Sequence, residues 1–276
     1  MDKLHFLTAG MPIKTGNSGY AKAFDLLKEF KLDGMELEFV HGVRMKPENQ
    51  EFIKKIVLNN EFLVTAHGPY YINLNSKEEE KVQASITRIL DTARMGKLLG
   101  AYSITFHAAF YTGDDKDKVY KSVKDGMKVI CETLQEENND IWIRPETTGK
   151  ATQWGDLDEI IAISKEFDNV LPCVDFSHLH ARYNGLSNTY DEFARIFEKI
   201  GKELGQNALD NFHAHLAGIA YSVKGEKHHL MLEESDMNYK DLLKAFKDFN
   251  VKGALVCESP VMEDDAILLK DYYLSL

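Results

Sequence analysis

Six potential metal ligands, His67, His107, Glu146, Asp175, His215 and Glu258, follow one another at steps of 40, 39, 29, 40 and 43 residues. Such a step is close to the length of one β-strand plus one α-helix. Each ligand stands at or just past the end of a short apolar run: LVTAHG, SITFHA, IWIRPET, VLPCVDFS, FHAHLAG and ALVCESP. A barrel of parallel strands points its strand ends into one shared mouth, so ligands spaced in this way would converge although they are far apart in the chain. The spacing therefore predicts a cluster of imidazoles and carboxylates in a place where chemistry can be done.

The rest of the chain keeps the same rhythm. Strand-like runs are LHFLTA, GMELEFV, FLVTAHG, YSITFHA, DIWIRPE, VLPCVDF, NFHAHLAG and GALVCES. Each is short, rich in branched or aromatic residues, and compatible with burial on both faces. Helix-like stretches separate them, with apolar residues at three- and four-residue steps, as in Tyr20, Phe24, Leu27 and Phe30 or Ile86, Ile89, Leu90 and Ala93. Ser76 before KEEEKVQ and Asp156 before LDEII are candidate N-caps, and the last helix is expected over 262–274. Counting gives eight strand-helix units with no Pro/Gly/Ser linker. The expected fold is α/β, a single (β/α)8 TIM barrel forming one catalytic domain over residues 1–276. A doubly wound open sheet is the runner-up, disfavoured because no GxGxxG turn accompanies the alternation. The connections after strands six and seven, HLHARYNGLSN and IAYSVKGEKHHLMLEESDMN, are longer than the rest, and long loops on that face of a barrel are usually functional.

Hydrophobic residues make up 44% of the chain, enough for a large core, and charged residues 28%. No run approaches a membrane span, and the apolar part of MDKLHFLTAG is too short for a signal peptide, so no membrane association is expected. Of three widely separated cysteines, Cys131, Cys173 and Cys257, two fall in strand-like runs and would be buried thiols, and the set suggests a reducing, cytoplasmic setting. The formal charge of −11 argues against a broad nucleic-acid surface. Two features soften that: some of the carboxylates are the proposed ligands, and Arg44, Lys46, Lys150, Arg182, Lys224 and Lys227 follow strand ends.

Imidazole and carboxylate donors without thiolate suit Zn, Mn or Fe(II) in a reactive rather than a structural site. Glu146 and Glu258, from different strands, are natural bridges between two cations. His67 and His107 would complete one, and Asp175 and His215 the other. Asp175-x-x-His178 and Glu226-x-His228 could hold a third at the rim. His229 competes with His228 for that role, and His213 shares a strand face with His215 as a supporting residue. Glu36 and Glu38 either face the site or pair with a barrel base.

The ordered segments resemble endonuclease IV, a family of metal-dependent apurinic/apyrimidinic DNA repair enzymes within the xylose-isomerase-like barrels. The residues that carry the likeness are His67-Gly68-Pro69-Tyr70-Tyr71-Ile72-Asn73-Leu74, Phe106-His107 and Pro145-Glu146-Thr147-Thr148-Gly149. They continue with Val174-Asp175-Phe176-Ser177-His178, His215-Leu216, Lys227-His228-His229 and Cys257-Glu258-Ser259-Pro260. The resemblance runs from strand three to strand eight and implies three zinc ions, with manganese an alternative occupant at one. It assigns His67, His107, Glu146 and Glu258 to the first, Glu146, Asp175, His215 and Glu258 to the second, and His178, Glu226 and His228 to the third. Glu226 departs from the family, which usually has Asp there. Tyr70 and Tyr71 match residues that wedge into DNA at the lesion; their alternative is aromatic packing over the rim. Arg44 and Arg182 are the candidate DNA-contacting bases.

The implied activity is hydrolysis of the phosphodiester 5′ to an abasic site in double-stranded DNA, with Glu146 as the catalytic residue and no obligate protein partner. The alternative is a sugar isomerase or epimerase using Glu146, Asp175, His215 and Glu258 around one Mn or Mg. His67, His107, His178 and His228 discriminate, since a single hard cation has no need of so many imidazoles. A non-catalytic zinc-buffering or DNA-binding module is the third class.

Overall fold

A computed structural model describes residues Met1–Leu276. Eight strands form one sheet: β1 (Leu4–Ala9), β2 (Gly34–Glu38), β3 (Leu63–His67), β4 (Ser103–Phe106), β5 (Trp142–Pro145), β6 (Val174–Asp175), β7 (Phe212–Leu216) and β8 (Gly253–Cys257). Their order is β5-β4-β3-β2-β1-β8-β7-β6. The first and last strands are parallel neighbours, Leu4 beside Gly253 through Thr8 beside Cys257. A doubly wound sheet does not place its first and last strands together, so the runner-up topology is overturned. No helix is long and apolar enough to cross a membrane.

Backbone proximity divides the chain into two compact units, one of Met1–Met35, Gly149–Ala151 and Cys173–Leu276, the other of Glu36–Thr148 and Thr152–Pro172. In the first unit β1 pairs with β8, β8 with β7, and β7 with β6. Its core is rich in aromatic rings. Phe197 packs against Phe246 at 4.9 Å between ring centroids, Phe212 at 5.6 Å, Phe249 at 5.6 Å and Phe176 at 5.7 Å, all tilted or edge-on. Tilted and edge-on rings set positive edges against negative faces, which adds to the burial energy. Phe197→Ala is expected to destabilise the fold by about 3–5 kcal/mol in urea unfolding, and a loss below about 1 kcal/mol would mean the site collapses without a cavity.

In the second unit β3 pairs with β4 and β4 with β5, and Val170 bridges Ile143. Helices Glu79–Leu99 and Lys116–Glu136 bury Ile86, Ile89, Val123, Met127 and Ile130. Arg144 is buried here, donating to the Pro172 carbonyl at 3.0 Å, with its guanidinium 5.3 Å from the Tyr102 ring. A planar, weakly hydrated cation is the kind that tolerates such burial.

Local details refine the sequence reading. Asp156 caps helix Leu157–Ser164 in a full capping box with Glu159. Ser76 does not cap: the helix begins at Glu79, and Ser76 Oγ instead accepts from Glu78 N at 3.2 Å, closing a turn ahead of it. The last helix spans Glu263–Ser275. The connection after strand six begins as a helix, Phe176–Arg182, because Asp175 Oδ1 accepts from His178 N at 2.7 Å and starts it immediately. The connection after strand seven is a β-hairpin, Gly218–Ser222 with Gly225–Leu230, followed by a 3₁₀ turn at Leu232–Glu234. Cys173 and Cys257 are buried thiols and Cys131 is half-buried.

Candidate functional site

In the second unit, His67 ends β3 and His107 lies just past β4, while Glu146 follows Pro145 and extends the pairing by donating its N–H to the Phe106 carbonyl at 3.0 Å. Neighbouring parallel strands in register bring these ends side by side. The Glu146 carboxylate, buried, faces an imidazole with each oxygen: Oε2 is 3.1 Å from His67 Nε2 and Oε1 is 3.2 Å from His107 Nε2. His67 Nδ1 lies 2.8 Å from the Gly68 carbonyl, which can only accept, so that nitrogen donates and Nε2 is aimed at Glu146. Metal-binding histidines are held in this way, with the non-ligating N–H on a backbone carbonyl.

Burial pulls the His67 imidazole towards lower pKa. The Glu146 hydrogen bond and the charges of Glu38, Glu146 and Glu36 outweigh it and raise the group to about 10. A histidine whose folded pKa is raised contributes stability that is complete below its ordinary value of 6.5 and lost as pH climbs to about 10. Metal-stripped protein is therefore expected to show a falling thermal midpoint over that window, with a shallower fall in His67→Asn. A midpoint that rises through the window would contradict the assignment. A cation must displace the same proton, so loading should tighten as pH rises.

In the first unit, the donor atoms of Asp175, His178 and His229 lie within 4.8 Å of one another. His178 Nδ1 is 3.0 Å from Asp175 Oδ2 and its Nε2 is 3.6 Å from Glu226 Oε2. His215 Nδ1 is 3.2 Å from Glu258 Oε1, and His229 Nε2 is 3.9 Å from Glu258 Oε2. Glu258 is held by its N–H to the Leu216 carbonyl at 3.0 Å, and its own carbonyl accepts from His229 Nδ1 at 3.1 Å.

His229 thus stands where the sequence placed His228. The reason is a β-bulge: Tyr221 pairs with Glu226 and Ala220 with His228, leaving Lys227 as the extra residue. An extra residue reverses the alternation of a strand, so Glu226 and His229 share one side while Lys227 and His228 are exposed. Glycine makes the hairpin's approach possible. A Cβ at Gly149 would sit 2.6 Å from Glu226 Cβ and 3.1 Å from His178 Cδ2, and one at Gly225, whose φ is +91, would sit 2.3 Å from the Gly149 carbonyl.

These separations fit cations. Two donors of one tetrahedral zinc sit about 3.3 Å apart, from metal–ligand lengths of about 2.0–2.1 Å. The His67–Glu146, His107–Glu146 and His215–Glu258 distances all fall close to that value.

The other candidates divide. Tyr70 and Tyr71 are 66% and 67% exposed, so they do not pack over the rim as buried aromatics. Tyr70 keeps an edge contact with the His67 ring at 6.5 Å. Arg44 is exposed, whereas Arg182 is half-buried and donates to the Lys150 carbonyl at 2.6 Å. Glu36 is buried and accepts from Thr65 Oγ1 at 2.7 Å, and His180 is engaged by Asp236 at 3.0 Å.

The family model described as a xylose isomerase-like TIM barrel matches residues 24–271. The chain belongs to this family. Among sequence relatives, the uncharacterized protein MJ0133 of Methanocaldococcus jannaschii is 44% identical over 270 residues, covering 98% of this chain and 97% of that protein. A probable endonuclease 4 of Carboxydothermus hydrogenoformans is 26% identical over 197 residues, 67% of this chain and 69% of its own length. Among solved barrels, endonuclease IV from Thermus thermophilus superposes with a TM-score of 0.71 at 16% identity, covering all of this chain (100%) and 98% of that one. A D-tagatose 3-epimerase-like protein superposes with a TM-score of 0.73 at 18% identity, covering 93% and 94%. The structural likenesses establish the barrel fold that the strand spacing predicts; chemistry has to come from the side chains.

Proposed function

We propose that this barrel is one catalytic domain, a metal-dependent endonuclease that hydrolyses the phosphodiester 5′ to abasic sites in double-stranded DNA. The observation that carries the reading is Glu146 with one carboxylate oxygen on His67 and the other on His107. A sugar epimerase built on Glu146, Asp175, His215 and Glu258 has no use for those two imidazoles, nor for His178 and His229. The sequence likeness to a probable endonuclease 4 supports the same choice, while the epimerase likeness extends to fold alone.

His67, His107 and Glu146 in the second unit, and Asp175, His178, His215, Glu226, His229 and Glu258 in the first, are the proposed zinc ligands. Bound cations would neutralise the phosphodiester and lower the pKa of water. Glu146 orients the attacking water and accepts its proton, a role suited to a buried carboxylate fixed between two imidazoles. The Gly68 carbonyl keeps His67 in the tautomer that leaves Nε2 available. Tyr70 and Tyr71, both exposed, fill the gap where an abasic nucleotide has no base to stack, and such a nucleotide is easily extruded.

The test is a duplex oligonucleotide carrying one abasic site, incubated with zinc-loaded protein with and without a chelator. Incision on the 5′ side that the chelator abolishes is the expected result. No incision, together with turnover of a ketose, would replace the reading with the epimerase one.

A further inference from the structure

A second set of donors lies one layer down from the ligands of β6 and β7. Cys173, His213 and His215 each offer an atom, all within 4.8 Å of one another, and all three residues are buried. Val174 pairs with Ala214 and Asp175 with His215. Alternation then places Cys173 on the same strand face as Asp175, and His213 on the same face as His215. One step back along the register, Cys173 and His213 become neighbours. The His213 and His215 rings are 5.2 Å apart and nearly perpendicular, at 71°. Nothing in the proposed hydrolysis uses Cys173 or His213.

We infer that Cys173, His213 and His215 form a further site for a thiophilic divalent cation such as zinc, cobalt or cadmium, one that shares His215 with the proposed zinc ligands. One sulfur and two imidazole nitrogens make a donor set of the soft, tetrahedral class, unlike the imidazole–carboxylate groups above it, and hard cations such as magnesium or calcium are poorly matched to it. On binding, the Cys173 thiol proton leaves for solvent and the thiolate becomes the third ligand. His215 belongs to both layers, since its Nδ1 faces Glu258 Oε1 at 3.2 Å. A cation held by Cys173 therefore draws on an imidazole that the upper layer also needs. Excess thiophilic metal is expected to inhibit the enzyme through this shared residue, and Cys173→Ser to relieve that inhibition.

Cobalt(II) titration of the full-length protein tests the site directly. The wild type is expected to develop sulfur-to-cobalt charge-transfer absorption in the near ultraviolet. Cys173→Ser should lose it, His213→Gln should weaken it, and Cys131→Ala and Cys257→Ala should keep it. Absence of the band from the wild type, or its persistence in Cys173→Ser, overturns the inference. Should Cys173→Ser fail to fold by circular dichroism, His213→Gln decides: an unchanged band there also overturns it. The readout is the thiolate–metal bond, so it stands or falls independently of abasic-site incision.

Discussion

Glu146→Gln is expected to lower the rate of abasic-site incision about 100- to 10,000-fold, the range attributed to a positioned general base. The substitution keeps the size of the side chain and one oxygen acceptor. It removes the negative charge that faces His67 at 3.1 Å and His107 at 3.2 Å, and with it the proposed acceptor of the water proton. It also removes a principal cause of the raised proton affinity of His67, so the pH dependence of stability in the metal-stripped protein should flatten in the same variant. The two readouts separate a chemical role from a merely structural one. An unchanged incision rate would place the base elsewhere, and an unchanged stability profile would mean that Glu38 and Glu36 alone sustain the His67 charge.

The second large effect concerns the hairpin. His229→Ala is expected to lower metal content and to reduce incision at least about 10- to 100-fold, the loss already seen when only a partner that orients a metal ligand is removed. His228→Ala should change neither beyond scatter. His229 shares a cluster with Asp175 and His178 and is anchored by its Nδ1 on the Glu258 carbonyl, whereas His228 is exposed. The reverse outcome, with His228 essential and His229 dispensable, would mean that the bulge at Lys227 is absent in the working enzyme.

The pair also shows where sequence reading stops. The ends of β3, β4, β5, β7 and β8 were legible because strands buried on both faces read as apolar, branched runs, and the candidate ligands stand where those runs break. The sixth strand was half legible. Pro172 has no N–H to give to a ladder, so the run VLPCVDF yields a bridge at Val170 and only two paired residues, Val174 and Asp175. Helix Phe176–Arg182 was hidden because its seven residues carry no helical period long enough to notice, and its cap, Asp175, reads equally as a ligand. The choice between His228 and His229 was not available at all. An alternating pattern assumes an unbroken strand, and a one-residue bulge inverts every side-chain direction beyond it. Cys173 with His213 was missed as a cluster for a related reason. Each residue could be placed on a strand face, but their adjacency depends on the register between β6 and β7, which the turn chemistry of this chain does not advertise.

Several cations held by imidazoles and carboxylates would serve phosphodiester hydrolysis, whereas a single one would serve sugar chemistry. Metal analysis of protein purified without chelator and dialysed against trace zinc separates the two. About three zinc ions per chain are expected, bound by the His and carboxylate series, with the count falling in His229→Ala and Glu146→Gln. About one manganese or magnesium per chain, unaffected by His67→Asn and His229→Ala, would contradict it.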